Sequence, residues 1–231
     1  MSKVELLLTK DGSHTVYNSE LDESYHAYNG ALTESEFVYI ENGLRYFLAS
    51  NQTQSHTPIR ILEFGFGTGL NTILTLKESI KSEIHIDYVS SEPFPLSFDI
   101  IDSLNHGKIF NNEFNVYFSK IHQAQWNTEE QLTSSFRLHK VKSKLEDLPE
   151  TTSPFDIIFY DAFAPTKQPD AWHINILHKC KSLLKDDGLI VTYCANGQFK
   201  RDLKSLGFKL DQTEGPMGRK EMTRAWKQKS V

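Results

Sequence analysis

Apolar and polar positions follow two rhythms along this chain, and the change between them marks where the main fold begins. Val4 to Leu8 and His14 to Tyr17 are short strand-like runs flanking Lys10-Asp11-Gly12-Ser13, a turn signal, so the chain should open with a small β-hairpin. Phe37, Ile40, Leu44 and Phe47, with Leu48, then recur at spacings of three and four, the apolar stripe of a helix. Thr33-Glu34-Ser35-Glu36 ahead of them has the form of a capping box that would start it.

After the polar loop 50–58, short apolar runs alternate with helical segments, the pattern of a parallel sheet with crossover helices. Strands are predicted over 59–64, 84–91, 136–141, 155–160 and 188–194, and helices over 70–80, 96–104, 169–184 and 198–206. Residues 208–212 and 221–226 could close the sheet as a strand pair, with Gly207 and Gly215-Pro216-Met217-Gly218 as punctuation. The layout expected is an α/β fold of the Rossmann-like, class I methyltransferase type. Its sheet would have seven mostly parallel strands and a C-terminal antiparallel hairpin. Residues 1–58 would be a hairpin-and-helix extension packed on a 59–231 core, in a single domain.

Composition narrows the class without changing that picture. A chain of 231 residues, 39% hydrophobic, can bury one sizeable core but hardly two. The N-terminal apolar run is too short for a signal peptide and no segment reaches membrane-spanning length, so a cytoplasmic protein without a membrane partner is expected. Cys180 and Cys194 lack the clustering of a zinc site, and His173 and His178 are five apart, wrong for one helical face, so no metal is expected. The net charge of −5 is uneven: from Lys200 to Val231 nine Lys/Arg face four Asp/Glu. A solvated basic face explains that stretch, and so does a nucleic-acid contact.

Chemistry enters at Ile61-Leu62-Glu63-Phe64-Gly65-Phe66-Gly67-Thr68-Gly69, where an apolar strand runs into a helix opening at Leu70. Ligands of open α/β sheets settle at such strand ends, where glycines let them approach the backbone. A dinucleotide fingerprint would put its third glycine three residues after Gly67; Leu70 stands there, and Gly69 comes one residue early. Glu63, two residues before Gly65, suits a cofactor with an ammonium head rather than a pyrophosphate, which points to S-adenosylmethionine. Glu92, at the end of the next strand, is placed to accept the ribose hydroxyls.

The run Phe155-Asp156-Ile157-Ile158-Phe159-Tyr160-Asp161 is a second apolar strand ending in an acid, which should face the same crevice. Asp161 could hold an amine nucleophile, with a backbone carbonyl of Phe163-Ala164-Pro165 as a second acceptor; it could equally fix its loop. Trp172 could pack in the core or stack on a substrate base.

Three segments together resemble one family, the methyltransferases that complete 5-methylaminomethyl-(2-thio)uridine at the tRNA wobble position, known as a domain of MnmC and as the stand-alone MnmD. They are Glu63-Phe64-Gly65-Phe66-Gly67-Thr68-Gly69-Leu70-Asn71, Asp161-Ala162-Phe163-Ala164-Pro165-Thr166-Lys167-Gln168-Pro169-Asp170-Ala171-Trp172, and Gly218-Arg219-Lys220-Glu221-Met222. Tyr25 to Ser35 is similar to the family's entry into its first helix. The resemblance implies S-adenosylmethionine held by Glu63, Gly65, Gly67, Gly69, Asn71, Glu92 and Asp161, with Asp161 also the catalytic contact to the reacting amine. Substrate tRNA would meet Phe163, Pro165, Lys167, Trp172, Arg219 and Lys220, and its phosphates would also draw on Lys200, Arg201, Lys204, Arg224 and Lys227. Glu146 or Asp147 would lie near the adenine; Ala162 and Pro93 replace the glycine and lysine common in the family. The family's fused flavin-dependent oxidase domain has no room in this chain, so only the methyltransferase half is expected. Two other readings stay open: a methyltransferase for a small amine or protein side chain, and a non-catalytic RNA-binding protein of the same fold.

Overall fold

Two apolar runs, Ile59–Phe64 (β4) and Phe155–Tyr160 (β8), are buried almost throughout. A strand escapes water on both faces only in the middle of a sheet covered by helices above and below. In the computed structural model, which describes residues 4–51, 57–110, 113–150, 153–211, 213–218 and 221–229, these two strands lie side by side and parallel, Leu62 opposite Ile158 and Phe64 opposite Tyr160.

Around that pair the sheet grows in both directions. β5 (Ile86–Ser91) and β7 (Phe136–Val141) continue it in parallel beyond β4, and β9 (Leu184–Thr192) beyond β8. β11 (Thr223–Lys227) runs antiparallel to β9, and β10 (Phe208–Asp211) pairs with β11 at the edge. The order is β10-β11-β9-β8-β4-β5-β7-β6. Successive connections leave β4 towards one edge and return through β8 towards the other, so a crevice opens where those two strands end.

The seven expected strands are all present, but the sheet has eight. The extra one, β6 (Glu129–Thr133), is antiparallel to β7 at the edge, with a bulge between Gln131 and Thr133. Its sequence, Glu-Glu-Gln-Leu-Thr, shows no apolar alternation, and none of its five residues is buried, as an edge strand open to water allows. At the N-terminus β1 (Val4–Leu8) and β2 (His14–Asn18) gain a third strand, β3 (Glu23–Ser24).

Helices α3 (Leu70–Ser82), α4 (Phe98–Ser103), α6 (Ile174–Leu183) and α7 (Gly197–Ser205) fall near their expected places. α6 is preceded by a separate 3-10 turn, Pro169–Trp172, and α5 (Asn115–Gln123) is an addition.

The first helix differs most from its sequence reading. It begins as α1 (Ala31–Ser35), widens into a π-helix over Glu36–Arg45 and closes as α2 (Tyr46–Ser50). The π winding turns Val38, Tyr39, Ile40, Gly43 and Leu44 all into the core. Gly43 fits tightly there, since a Cβ would lie 3.0 Å from side-chain atoms of both Phe159 and Val191. No capping box forms, because Thr33 is already inside the first turn. Its N–H and hydroxyl both donate to Asp11 Oδ2, each at 2.8 Å, while Glu34 Oε2 accepts from Ala27 N at 2.9 Å. The cap comes from the hairpin turn 22 residues earlier. Burial pushes the Asp11 carboxyl up, but bonds from Ser13, Thr33 and Thr9 outweigh it and hold the group well below the usual carboxylate range.

Asp11→Ala should therefore lower stability by about 1–2 kcal/mol, the cost of a lost helix cap, read as a drop in the urea midpoint at pH 7. An unchanged midpoint would mean that Thr33 finds another acceptor.

Candidate active site

At the end of β4 the chain turns through Gly65, Gly67 and Gly69, all at positive φ, into the first turn of α3. Gly65 has the tightest constraint: a Cβ there would stand 2.3 Å from the Asp161 carbonyl oxygen. That close approach stitches three strand ends together, with Gly65 N donating to Ser91 O and Asp161 N donating to Phe64 O. From behind, His122 Nε2 donates to Thr68 O at 3.2 Å, and His106 Nε2 lies 3.1 Å from Thr68 Oγ1.

Glu92 follows β5, as expected. Its Oε2 accepts from Gly67 N at 3.2 Å and its Oε1 from Phe94 N at 2.9 Å. Burial raises its pKa against the pull of those two bonds.

Asp161, at the end of β8, lines a cavity of ≈ 160 Å³ together with Glu34, Tyr39, Phe163, Tyr193 and Tyr25. Its Oδ2 accepts from Asn71 Nδ2 at 2.7 Å, and the Tyr39 hydroxyl, brought in by the π-helix, bonds the same carboxyl. Burial drives the Asp161 pKa up to about 7; the bonds from Tyr39 and Asn71 oppose the rise and the Glu34 charge adds to it.

The N-terminal extension builds much of the wall. Ala164 N donates to Glu23 Oε2 at 3.2 Å, Lys167 pairs with Asp22 at 3.0 Å, and the Tyr25 ring meets Phe163 edge-on at 4.8 Å. Tyr25 also covers Gly67, so one side chain closes over both functional loops. Glu23, Tyr25, Glu34, Tyr39 and Tyr193 were not singled out from the sequence. Tyr25 and Glu34 lie in the family-like segment 25–35, Glu34 also in the expected cap, but neither carries a site role there, and the tyrosines have no spacing that marks a site.

Several expected contacts are corrected. Trp172 is 6% exposed, its ring 5.0 Å from both Tyr160 and Phe199, and its Nε1 donates to Phe163 O at 2.7 Å; it has no free face for a base. Of the three carbonyls expected beside Asp161, two are engaged: Phe163 O by Trp172, and Ala164 O by the amides of Lys167 and Gln168. Glu63 is fully buried, and its Oε2 accepts from Ser90 and Thr72. Lys200 pairs with Glu221, Arg224 lies 3.5 Å over the Tyr46 ring and pairs with Asp211, and Lys227 donates to Leu184 O at the opposite end of β9. Arg201 and Lys204 are exposed on α7, whereas Arg219 and Lys220 lie outside the described residues. Glu146 and Asp147 are both exposed, Glu146 beside Lys144. Among the described residues no group of three or more His, Cys, Asp or Glu could hold a metal ion, and no helix is long and apolar enough to cross a membrane.

An open sheet in this order, a three-glycine turn at its switch point and an acid after the neighbouring strand define a Rossmann-like methyltransferase. The loop suits its cofactor: the turn leaves no space for side chains between β4 and β8, and Glu92 presents a carboxylate rather than a phosphate-binding cation. Residues 106–228 match the sequence model of a family described as S-adenosyl-L-methionine-dependent methyltransferase, and the chain belongs to that family. Its curated relatives include the tRNA 5-methylaminomethyl-2-thiouridine biosynthesis bifunctional protein MnmC of Leptospira interrogans, 27% identical over 226 residues, covering 94% of this chain and 34% of the relative. The MnmC of Leptospira borgpetersenii is 29% identical over 215 residues, 90% of this chain and 33% of that protein. The chain thus spans about a third of these relatives' length. Among solved structures, MnmC2 from Aquifex aeolicus shares the fold with a TM-score of 0.79 at 21% identity, over 100% of this chain and 72% of that one.

The buried titratable groups set opposing pH slopes. Burial pushes His26 down to about 4 and His122 down to about 3, with Lys140 adding to the latter, and pushes His106 well below its usual range. These lowered values mean the unfolded chain binds more protons below about pH 6.5, so stability falls on acidification through that window. Asp161 and Glu63, raised to about 7 and about 8, act oppositely: the folded protein keeps protons that the unfolded chain releases, so stability falls as pH rises towards 8. Urea midpoints measured from pH 4 to 9 should peak at about pH 6–7. A monotonic rise to pH 9 would show that neither carboxyl is protonated in the folded state.

Proposed function

We propose that this chain is an N-methyltransferase that converts 5-aminomethyl-(2-thio)uridine at the tRNA wobble position to 5-methylaminomethyl-(2-thio)uridine, acting in the cytoplasm. The observation that carries the reading is Asp161, a buried acid lining a small aromatic cavity beside the glycine turn, with a pKa of about 7. The names of the MnmC relatives support the choice of substrate, and the reading is confined to the methyl-transfer step.

Gly65, Gly67, Gly69, Asn71 and Glu92 would hold S-adenosylmethionine, which when bound supplies an electrophilic methyl group. The chain's own work concerns the amine. An alkylammonium has no lone pair, so one N–H proton must leave before nitrogen can act as a nucleophile. Asp161 accepts that proton at neutral pH because burial has brought its affinity for one into range, and releases it to water afterwards. Tyr25, Tyr39, Tyr193 and Phe163 wall the cavity with aromatic rings, a surface that favours a cationic arm and excludes bulk water. In this reading the extension 1–58 completes the pocket of the 59–231 core, since Glu23 and Tyr25 hold the Asp161–Lys167 loop. Substrate tRNA would approach over Phe163, Pro165 and Lys167, with Arg201, Lys204, Arg219 and Lys220 as the basic groups remaining for phosphate.

Incubation with labelled S-adenosylmethionine and tRNA carrying 5-aminomethyluridine should place label in 5-methylaminomethyluridine on nucleoside analysis. Label that survives ribonuclease treatment of the acceptor would move the reading to a small amine or a protein side chain.

Asp161→Asn should lower kcat/KM by about 10²–10⁴-fold and abolish its acid limb near pH 7, with cofactor affinity changed less than about threefold. Lost cofactor binding with unaltered single-turnover chemistry would instead assign Asp161 to the cofactor.

A further inference from the structure

Glu63 sits one residue before the end of β4 and is 0% exposed. Its Oε2 accepts from Ser90 Oγ of β5 at 2.6 Å and from Thr72 Oγ1 of α3 at 3.3 Å. Its Oε1 has no protein partner among the described residues, and neither does Asn71 Oδ1 or the Tyr88 hydroxyl, all three buried. Asn71 and Tyr88 both face the Glu63 carboxyl, so these atoms end in one place. The charged group acting on it is Asp161, of the same sign, and among the described residues no lysine or arginine side chain bonds to it.

A count of protons separates two states of this network. With Glu63 ionised, Oε1 and Asn71 Oδ1 face each other as two acceptors, and a buried charge stands without a counter-ion. With a proton on Glu63, one of the two becomes a donor and the charge disappears. The Asn71 amide is then fixed: its oxygen takes the acid's proton, and its nitrogen is held towards Asp161 Oδ2, 2.7 Å away.

We infer that Glu63 is a neutral buried acid that positions Asn71, and through Asn71 the Asp161 carboxylate, rather than a direct contact for the cofactor's ammonium. The effect on turnover rests on the reading of Asp161 as the amine's acceptor; the effects on cofactor binding and on stability do not. Burial, with Asp161 adding to it, raises the Glu63 pKa to about 8 although the Ser90 hydroxyl and the neighbouring Asn71 and Tyr88 groups favour the ionised form.

Glu63→Gln tests this, because a glutamine amide mimics the protonated acid: its oxygen can accept from Ser90 and Thr72 and its nitrogen can donate to Asn71 Oδ1. Three readings are taken on wild type and variant: S-adenosylmethionine affinity by calorimetry, melting temperature of the protein without cofactor from pH 5 to 9, and the pH profile of methyl transfer. Glu63→Gln should bind S-adenosylmethionine within about threefold of wild type and keep kcat within about threefold at pH 7. Its melting temperature should lack the decline that Glu63 contributes as pH rises towards 8, since the folded wild type holds a proton there that the unfolded chain has released. Glu63→Ala removes the donor to Asn71 and should lower kcat by about tenfold, the effect of one lost positioning bond. A loss of S-adenosylmethionine affinity of tenfold or more in Glu63→Gln overturns the inference, as does a wild-type alkaline melting decline that Glu63→Gln retains in full. If Glu63→Ala fails to fold, the Gln variant's affinity and melting profile still decide. Both are measured without tRNA, so an inactive wild-type protein in the transfer assay counts against the proposed substrate and leaves this inference standing or falling by itself.

Discussion

The site depends on one close approach. β4 and β8 end side by side, and the chain leaving β4 passes the Asp161 carbonyl at a distance that no side chain could tolerate, so Gly65 has none. Because the two loops touch there, the glycine turn and Asp161 share one crevice instead of facing separate ones. Positive φ at Gly65, Gly67 and Gly69 follows from the same need, since the chain must reverse within five residues to start α3. Loss of that contact would separate the glycine turn from the Asp161 carboxyl.

The N-terminal residues are part of this machinery rather than an ornament on it. Asp11 in the hairpin turn caps α1, and α1 leads into the π-helix that carries Tyr39 to Asp161. β3 then reaches across to the loop after β8 through Glu23 and Tyr25. A local turn residue is thereby linked, through backbone it orients, to the hydroxyl that bonds the Asp161 carboxyl. π-Helical winding is uncommon because its hydrogen-bond geometry is poorer than that of an α-helix. Here it turns five residues of one segment into the core, with Gly43 against Phe159 and Val191.

Electrostatics divides the crevice floor into two halves. Behind the glycine turn, His106 and His122 are held neutral by burial and brace Thr68. On the cavity side, Asp161 and Glu63 are driven towards their neutral forms by the same exclusion of water. The asymmetry arises because Asn71 and Tyr39 bond Asp161 at the cavity, whereas Glu63 has hydroxyls and an amide around it but no cation.

The sequence by itself determined the sheet and the location of its ligand crevice. Period-two and period-four patterns, broken by glycine and proline, are local properties of backbone sterics and one-sided burial, so β4, β5, β7, β8 and β9 stand close to where they were expected. For the same reason Gly65, Gly67, Gly69, Glu92 and Asp161 were legible, since residues at strand ends are placed by strand order alone. Tertiary structure decided what depends on long-range approach: that β6 adds an eighth strand, that Asp11 rather than Thr33 caps the first helix, and that Trp172, Arg224 and Lys227 face inward. It also decided that Glu23, Tyr25, Glu34, Tyr39 and Tyr193 meet around Asp161. A side chain's partner more than a hundred residues away, and the dielectric it finds there, are set by packing of the whole chain, and no local pattern encodes either.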